Sequence, residues 1–259
     1  MIQRLITLAP MTALLIFGAT GNAFAGGRSE PWQMGFQPAG SPVMERIIEF
    51  HNLLLVVEVS IVALVLGLMC YIIVRFNAKA NPVPSKTTHN TLLEVVWTGV
   101  PLLILIVVAV PSLKLLYYSD RVENTEMTLK VTGNQWFWSY TYPDHGGFEF
   151  DSVIVPDDEL KAGQPRLLTV DNEVVLPAET NIRLLFTSAD VIHNWGVPSL
   201  GLKLDTVAGR ISETWVRINK KGNYYGMCSE LCGVNHGFMP IHIKAVSKAD
   251  FAVWVETAK

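Results

Sequence analysis

Two long apolar runs in the first half of the chain predict two membrane-spanning helices. The runs from Leu53 to Val74 and from Leu92 to Leu116 each contain about the 20 apolar residues that a helix needs to cross a bilayer. Two prolines interrupt the second run, but prolines are tolerated in membrane helices more readily than in soluble ones. We therefore expect helices over about residues 46–75 and 92–117.

A shorter apolar stretch lies at the N-terminus. It follows Arg4, is broken by Pro10 and Gly18, and ends in small residues around Ala25, a pattern typical of a cleavable export signal. This pattern predicts a signal peptide over residues 1–25.

The charge of the loop between the two long runs indicates their orientation. This loop carries Arg75, Lys79 and Lys86 and has no acidic residue before Glu94, so the positive-inside rule places it in the cytoplasm. Residues 26–118 then form an N-terminal segment with two spans, and residues 119–259 lie on the outer side. We expect the periplasmic side of a bacterial plasma membrane, the alternative being the inner membrane of a mitochondrion.

The outer part of about 140 residues shows the alternation typical of β-strands. Short runs rich in β-branched and aromatic residues are separated by Gly, Pro and Asp, which predicts an all-β sandwich or barrel. A helical pattern appears only near the end, at residues 247–258. The runs predicted as strands are residues 127–133, 135–142, 166–170, 181–188, 213–218, 223–227 and 239–246.

Charge is distributed unevenly, and this changes the picture of the outer part. Residues 119–259 contain 18 acidic and 13 basic side chains, and the excess is concentrated from Thr141 to Asp190, where ten acidic residues meet three basic ones. A solvated surface explains any single one of these acids. Together they would attract a basic partner and accelerate its encounter.

One stretch of twelve residues carries most of the chemistry. From Cys228 to Met239 the sequence reads CSELCGVNHGFM, with two thiols, an imidazole and a thioether in the pattern C-x3-C-x3-H-x2-M. Thiolate and thioether favour copper, and imidazole suits it too. A disulfide, a zinc site and a copper chaperone are the alternatives. Zinc does not explain the Met, and the chaperone pattern has Pro where Gly233 stands.

The number of thiols favours a particular kind of copper site. A mononuclear blue copper site uses two His, one Cys and a weak axial Met, so a second Cys would be surplus. Two thiolates can instead bridge two copper ions. The candidate histidines outside the stretch are His193 and His242, whereas Cys70 lies in the first apolar run and is interpreted as a small packing residue.

Six segments resemble the subunit II family of aa3-type cytochrome c oxidases, in the same order along the chain. The resemblance implies a cupredoxin-like Greek-key barrel and transfer of electrons from cytochrome c to haem a of subunit I, where oxygen is reduced to water and protons are pumped. The chain itself would be an electron relay, working with subunit I and subunit III in the lipid membrane. The segments are PWQMGFQPAGSPVMERI, EVVWTGVP, QWFWSYTY, VDNEVVLPAET, SADVIHNWGVPSLGLKLDTVAGR and the copper stretch.

The resemblance also implies a ligand set and two metals. The ligands of a binuclear copper A centre would be Cys228 and Cys232 as bridges, one histidine for each copper, Met239, and the backbone carbonyl of Glu230. His193 is preferred over His242 because it lies in the VIHNWGVPS motif. The histidines are then His193 and His236, and the Glu230 carboxylate would help to bind magnesium, which prefers oxygen ligands and retains waters.

Further roles rest on the resemblance alone. Trp136 would receive the electron from cytochrome c, and Glu94 would mark the entrance of a proton path, since acids inside membranes are functional candidates by default. Trp138 and Tyr140 are expected to be ordinary packing residues. The acids that would dock cytochrome c are Asp151, Asp171 and Asp190, although Thr141 stands where many relatives have Glu.

Other functions fit the sequence less well. A nitrous oxide reductase would need a large histidine-rich propeller, a quinol oxidase subunit lacks the copper ligands, and a copper carrier would not bury two ions under six ligands. The CxxCH haem attachment motif is missing from the sequence, which argues against a fused cytochrome c domain.

Overall fold

The computed structural model describes residues 27–122 and 124–258. The predicted signal peptide therefore lies outside the described residues. Two long helices precede the outer domain, which in the described part is built from ten strands and one C-terminal α-helix.

 The two long helices have 34 and 30 residues, and both are hydrogen-bonded to the outer domain.

The two predicted spans are confirmed as helices. Helix α1 covers Pro42–Arg75 and helix α2 covers Thr91–Asp120, so both begin earlier than predicted and α2 also ends later. Their most apolar 18-residue windows have mean hydropathies of 2.8 and 2.5, and their side chains are exposed rather than buried in the protein. This is the surface expected of helices that face lipid and neighbouring membrane helices.

Helix α1 begins on the outer domain. The Ser41 hydroxyl caps the helix by accepting a hydrogen bond from the Met44 N–H (3.0 Å), and it donates to the Leu200 carbonyl (2.6 Å). Pro42 follows at the first helical position, where its missing N–H costs no hydrogen bond. One side chain thus starts the helix and attaches it to the outer domain.

Helix α2 ends against the same domain. The Trp215 indole donates to the Tyr118 carbonyl (3.2 Å), and the Thr214 hydroxyl donates to the Ser119 carbonyl (3.2 Å). These bonds satisfy carbonyls in the last turn that no helical N–H can reach.

The outer domain consists of two five-stranded sheets, in agreement with the predicted all-β fold. One sheet has the order β3-β2-β1-β5-β8 and the other β4-β10-β9-β6-β7. Neighbouring strands are antiparallel except for the β1–β5 and β4–β10 pairs. The strands are β1 Met127–Asn134, β2 Phe137–Thr141, β3 Glu149–Ser152, β4 Val174–Pro177, β5 Asn181–Ser188, β6 His193–Val197, β7 Leu202–Thr206, β8 Ser212–Arg217, β9 Gly222–Cys228 and β10 Pro240–Val246.

The two sheets differ in how their outer faces are covered. Strands β1 and β5 alternate between buried and half-buried residues, so one face packs on the core and the other meets solvent. Strands β4 and β6 are buried at every position. Helix α3, Lys248–Ala258, buries Phe251 and Val255 and lies next to β4.

One strand prediction was wrong. Residues 166–170 form a turn, with a single bridging contact at Val170. The Leu168 N–H and the Thr169 hydroxyl both bond to the Pro165 carbonyl, so local hydrogen bonds replace a strand ladder there.

Candidate metal centre

The predicted copper ligands come from the ends of three neighbouring strands. His193 begins β6, Cys228 ends β9, and Met239 directly precedes β10. Pairing of β6 with β9 places Trp195 opposite Cys228, which brings the distant histidine to the cysteine stretch. The sheet therefore joins residues that are 35 positions apart in the sequence.

The donor atoms form one cluster. The two cysteine sulfurs are 3.8 Å apart, and the Cys232 sulfur lies 3.6 Å from the His236 Nδ1 and 3.6 Å from the Met239 sulfur. Donor atoms of His193, Cys228 and Cys232 all lie within 4.8 Å of one another. The sulfur separation is nearly twice a disulfide bond, so both thiols are free.

Asp190 holds the ring of His193. The carboxylate Oδ1 lies 2.8 Å from the imidazole Nε2, which must donate because a carboxylate can only accept. The other ring nitrogen, Nδ1, is buried and has no hydrogen-bond partner. In His193, a carboxylate fixes one ring nitrogen, and the other is buried beside two thiols without a partner. This arrangement is typical of a histidine that binds a metal ion.

The pKa values of the two thiols are shifted in opposite directions. Burial alone would raise the pKa of Cys228, but the neighbouring His193 imidazole and the backbone of Asn194 and Glu230 lower it to about 6. Burial and the neighbouring Cys228 sulfur raise the pKa of Cys232 to about 12. One thiolate is thus available at neutral pH, and a metal ion must displace the proton from the other.

Trp136 lies against the ligand loop. Its indole N–H donates to the Cys232 carbonyl (3.1 Å), and the Gln135 side-chain amide donates to the same oxygen (2.8 Å). Gly233 has a φ of +119°, and a Cβ there would lie 3.0 Å from the Trp136 ring. Glycine therefore meets both the backbone and the space requirement at this position.

The sequence predicted only ordinary packing for Trp138, but this residue does more than fill the core. It is fully buried, and its indole N–H donates to the Met239 carbonyl (3.1 Å). Its ring also contacts that of His193 edge to face, with centroids 5.9 Å apart. Trp138 thus positions two of the predicted ligands, a role that no spacing in the sequence revealed.

Glu230 presents its backbone and its side chain in different surroundings. The Cys228 sulfur lies 3.3 Å from its carbonyl oxygen, so this oxygen borders the cluster. The residue as a whole is exposed.

The three acids predicted to dock a partner are exposed, and each accepts hydrogen bonds from neighbouring groups. The Ser139 hydroxyl donates to the Asp151 carboxylate (2.6 Å), and the Asn172 amide donates to the Asp151 carbonyl (2.9 Å). The Asp171 carboxylate accepts from the Asn172 N–H (2.7 Å), and that of Asp190 accepts from the Gln135 N–H (2.7 Å). We call Asp151, Asp171 and Asp190 the acidic line.

Two other candidates lie away from the cluster. His242, the competing histidine, is on β10 and contacts Glu173, Asn223 and Tyr225. The Glu94 carboxylate accepts from the Asn90 N–H (3.3 Å) at the start of α2.

Comparison with known proteins connects this geometry to a family. A family model described as cytochrome c oxidase subunit II, periplasmic domain, matches residues 127–246, and one for the transmembrane domain matches residues 29–115. The chain belongs to the cytochrome c oxidase subunit II family. It is therefore a membrane subunit of an oxidase complex, the one at which electrons enter, with its β domain on the periplasmic side.

Individual relatives agree with this assignment. The chain is 54% identical over 225 residues to a probable cytochrome c oxidase subunit 2 of Rickettsia felis, covering 87% of this chain and 71% of the relative. It is 48% identical over 233 residues to cytochrome c oxidase subunit 2 of Phytophthora megasperma, covering 88% of each.

A solved structure resembles the outer domain. The crystal structure of the periplasmic domain of cytochrome oxidase subunit II from Bradyrhizobium japonicum is 52% identical, with a TM-score of 0.50. The match covers 53% of this chain and 96% of the solved one. This relative's domain was thus crystallised without membrane helices.

Proposed function

We propose that the cluster holds a binuclear copper A centre, in which Cys228 and Cys232 bridge two copper ions. Two buried free thiols at 3.8 Å support this proposal, because a mononuclear blue site would use only one of them. Such a centre, when bound, takes up and releases one electron at a time.

The remaining ligands follow from the surrounding donors. His193 and His236 would each bind one copper, Met239 would complete the coordination of one, and the Glu230 carbonyl that of the other. The chain keeps these groups in place: Asp190 fixes the tautomer of His193, and Trp138 holds the Met239 backbone. Burial of both cysteines and Met239 excludes water.

Trp136 is the proposed acceptor of electrons from cytochrome c. It is half-buried, so part of its ring can be reached from outside, and its indole is hydrogen-bonded to the backbone of Cys232. The path from the Trp136 ring to the Cys232 sulfur, a proposed bridge, then consists of one hydrogen bond and the covalent bonds within Cys232.

The acidic line is the proposed docking surface for cytochrome c. Asp190 bonds to the backbone of Gln135, directly before Trp136, so the line passes beside the proposed acceptor. A basic partner attracted to these carboxylates would come to rest near that ring.

Glu230 is the proposed link to a second metal. Its exposed carboxylate would help to bind magnesium at the boundary with subunit I, which would supply further ligands.

The membrane part carries three further proposals. Glu94, near the cytoplasmic end of α2, would mark the entrance of a proton path shared with subunit I. Residues 1–25 would be removed as a signal peptide, and the helices of residues 26–118 would contact subunits I and III and lipid. Residues 119–259 would form the copper domain.

An electron paramagnetic resonance spectrum of the copper-loaded domain, residues 119–259, tests the central proposal. We expect hyperfine structure from one unpaired electron shared by two copper nuclei. Cys232→Ser, which removes one bridge, should lose this pattern, whereas Lys161→Gln in an exposed loop should retain it. A wild-type spectrum of a single copper nucleus would contradict the binuclear centre.

A further inference from the structure

A loop of residues 28–39 is held at both ends by one aromatic ring. A Cβ added at Gly27 would lie 2.7 Å from the Tyr224 ring, and one added at Gly40 would lie 2.5 Å from the same ring. The Gly40 N–H also donates to the Ser199 carbonyl (2.7 Å). Surface loops whose ends meet in this way frequently carry a function.

Side-chain hydrogen bonds shape this loop and place part of it beside helix α1. The Gln37 amide donates to the Ser29 hydroxyl (3.1 Å), and the Gln33 amide donates to the Phe36 carbonyl (2.5 Å). The Phe36 ring packs edge to face against the His51 ring of α1, with centroids 4.8 Å apart. His51 lies two residues before the apolar run of α1, a distance of about 3 Å along the helix. The loop therefore reaches the outer boundary of the membrane.

The loop directs three apolar side chains away from the protein. Trp32 and Met34 are almost fully exposed, and Phe36 is about half exposed. Trp32 has a φ of +62° at the third position of a turn that the Gln33 N–H and the Glu30 carbonyl close (3.2 Å), a position usually taken by glycine. A large side chain with this φ strains the backbone. Burial within the chain does not offset that strain, which indicates that Trp32 contacts another molecule.

An acid continues the same side of α1 into the membrane. Glu58 follows His51 by seven residues, so the two side chains are only about 20° apart around the helix. Glu58 also lies five residues inside the apolar run, a depth of roughly 7 to 8 Å. Within residues 27–122 and 124–258, its carboxyl group has no hydrogen-bond or ion-pair partner. Acids in membrane helices face protein or water rather than lipid, so this side of α1 needs a polar partner.

We propose that Trp32, Met34, Phe36, His51 and Glu58 form one interface with a neighbouring membrane subunit of the oxidase, whose hydrogen-bond donor meets the Glu58 carboxyl group. Helical side chains tilt towards the N-terminus of their helix, so this donor lies in the outer half of the membrane. Lipid could cover the loop, but acyl chains offer no donor to Glu58. This interface depends on the association of the chain with other oxidase subunits, and it is independent of the copper ligands.

Co-purification of the other subunits with the tagged full chain tests the membrane part of this interface. Haem retained per chain across a dilution series in detergent gives a dissociation constant. Glu58→Leu should raise it roughly threefold, the usual effect of losing one hydrogen bond between membrane helices, whereas Glu58→Gln should retain most of the affinity. The matched control is Glu49→Leu, which should behave as the wild type because Glu49 lies nine residues earlier, on the opposite side of α1.

Trp32→Gly tests the loop. Glycine suits the positive φ, so the thermal stability of the chain should be unchanged or higher. The dissociation constant should nevertheless rise about tenfold, as is usual when a tryptophan is removed from the centre of an interface. A tryptophan that served only the fold would give the opposite pattern, with lower stability and unchanged association.

Three results would overturn the proposed interface. The first is equal dissociation constants for the wild type, Glu58→Leu and Trp32→Gly. The second is quenching of Trp32 fluorescence by doxyl-labelled lipid in the assembled oxidase, measured as the difference from Trp32→Phe, since it would place the loop in lipid. The third is a wild type that retains no haem, because the association itself would then fail. The copper spectrum is a separate measurement and should be unchanged in every variant.

Discussion

At the scale of single residues, Asp190 belongs to two proposed roles at once. Its position in the acidic line is that of a docking residue, yet its carboxylate also fixes the ring of a proposed copper ligand. The sequence indicated only the first role, because spacing shows which residues are donors but not which groups orient them. Trp138 was underestimated for the same reason.

Asp190→Asn separates the two roles. Loss of the carboxylate should reduce the basicity of His193, raise the copper midpoint potential and weaken copper binding by about 10- to 100-fold. Potentiometry and copper titration of the outer domain measure both effects. Asp151→Asn, which lies in the acidic line but not against a ligand, is the control and should leave the potential unchanged. A purely docking role for Asp190 would also leave it unchanged.

At the scale of elements, alternation of apolar and polar residues determined which strands the sequence revealed. β1 and β5 have one solvated face and were predicted almost residue by residue. β4 and β6 are buried throughout, so they lack the alternation and were missed, although β6 carries His193. A buried strand cannot be distinguished from other apolar runs by period alone.

The β9–β10 pair contains a buried histidine that makes folding pH-dependent. Burial lowers the pKa of His242, although the Glu173 carboxylate 3.6 Å away opposes the effect. A histidine with a lowered folded pKa contributes full stability above its unfolded pKa of about 6.5 and loses stability as the pH falls below it. Thermal unfolding of the outer domain at about pH 7.5 and pH 5 should therefore show a larger loss for the wild type than for His242→Gln. Equal losses would contradict this explanation.

At the scale of the whole molecule, the sequence predicted the order of parts well: two spans followed by a β domain with a metal cluster. The attachment between these parts was not predictable, because Ser41 and Trp215 bond to backbone carbonyls, which any sequence offers. The surface charge was visible as an excess of acids, but the hydrogen bonds that join Asp151 to Ser139 and Asn172 were not.

The acidic line should control how rapidly cytochrome c is oxidised by the assembled oxidase. Asp151→Asn/Asp171→Asn should slow the reaction at low ionic strength by roughly tenfold and flatten its salt dependence, because steering by charge is screened by salt. Glu179→Gln is the control, because it removes an acidic charge far from the acidic line. Glu179 lies just before the start of β5, whereas the ligand cluster is near the end of that strand. Stopped-flow rates across a salt series measure the effect, and identical slopes for both variants would argue against docking at this surface.

Pairing of β6 with β9 also sets an order of events in the making of the protein. His193 and Cys228 meet only when these strands are hydrogen-bonded, so a nascent chain emerging from the membrane carries the ligands but not the cavity. Metal incorporation must then wait for completion of the fold. A mutation that slows strand pairing would leave metal-free protein behind, even if every ligand were intact.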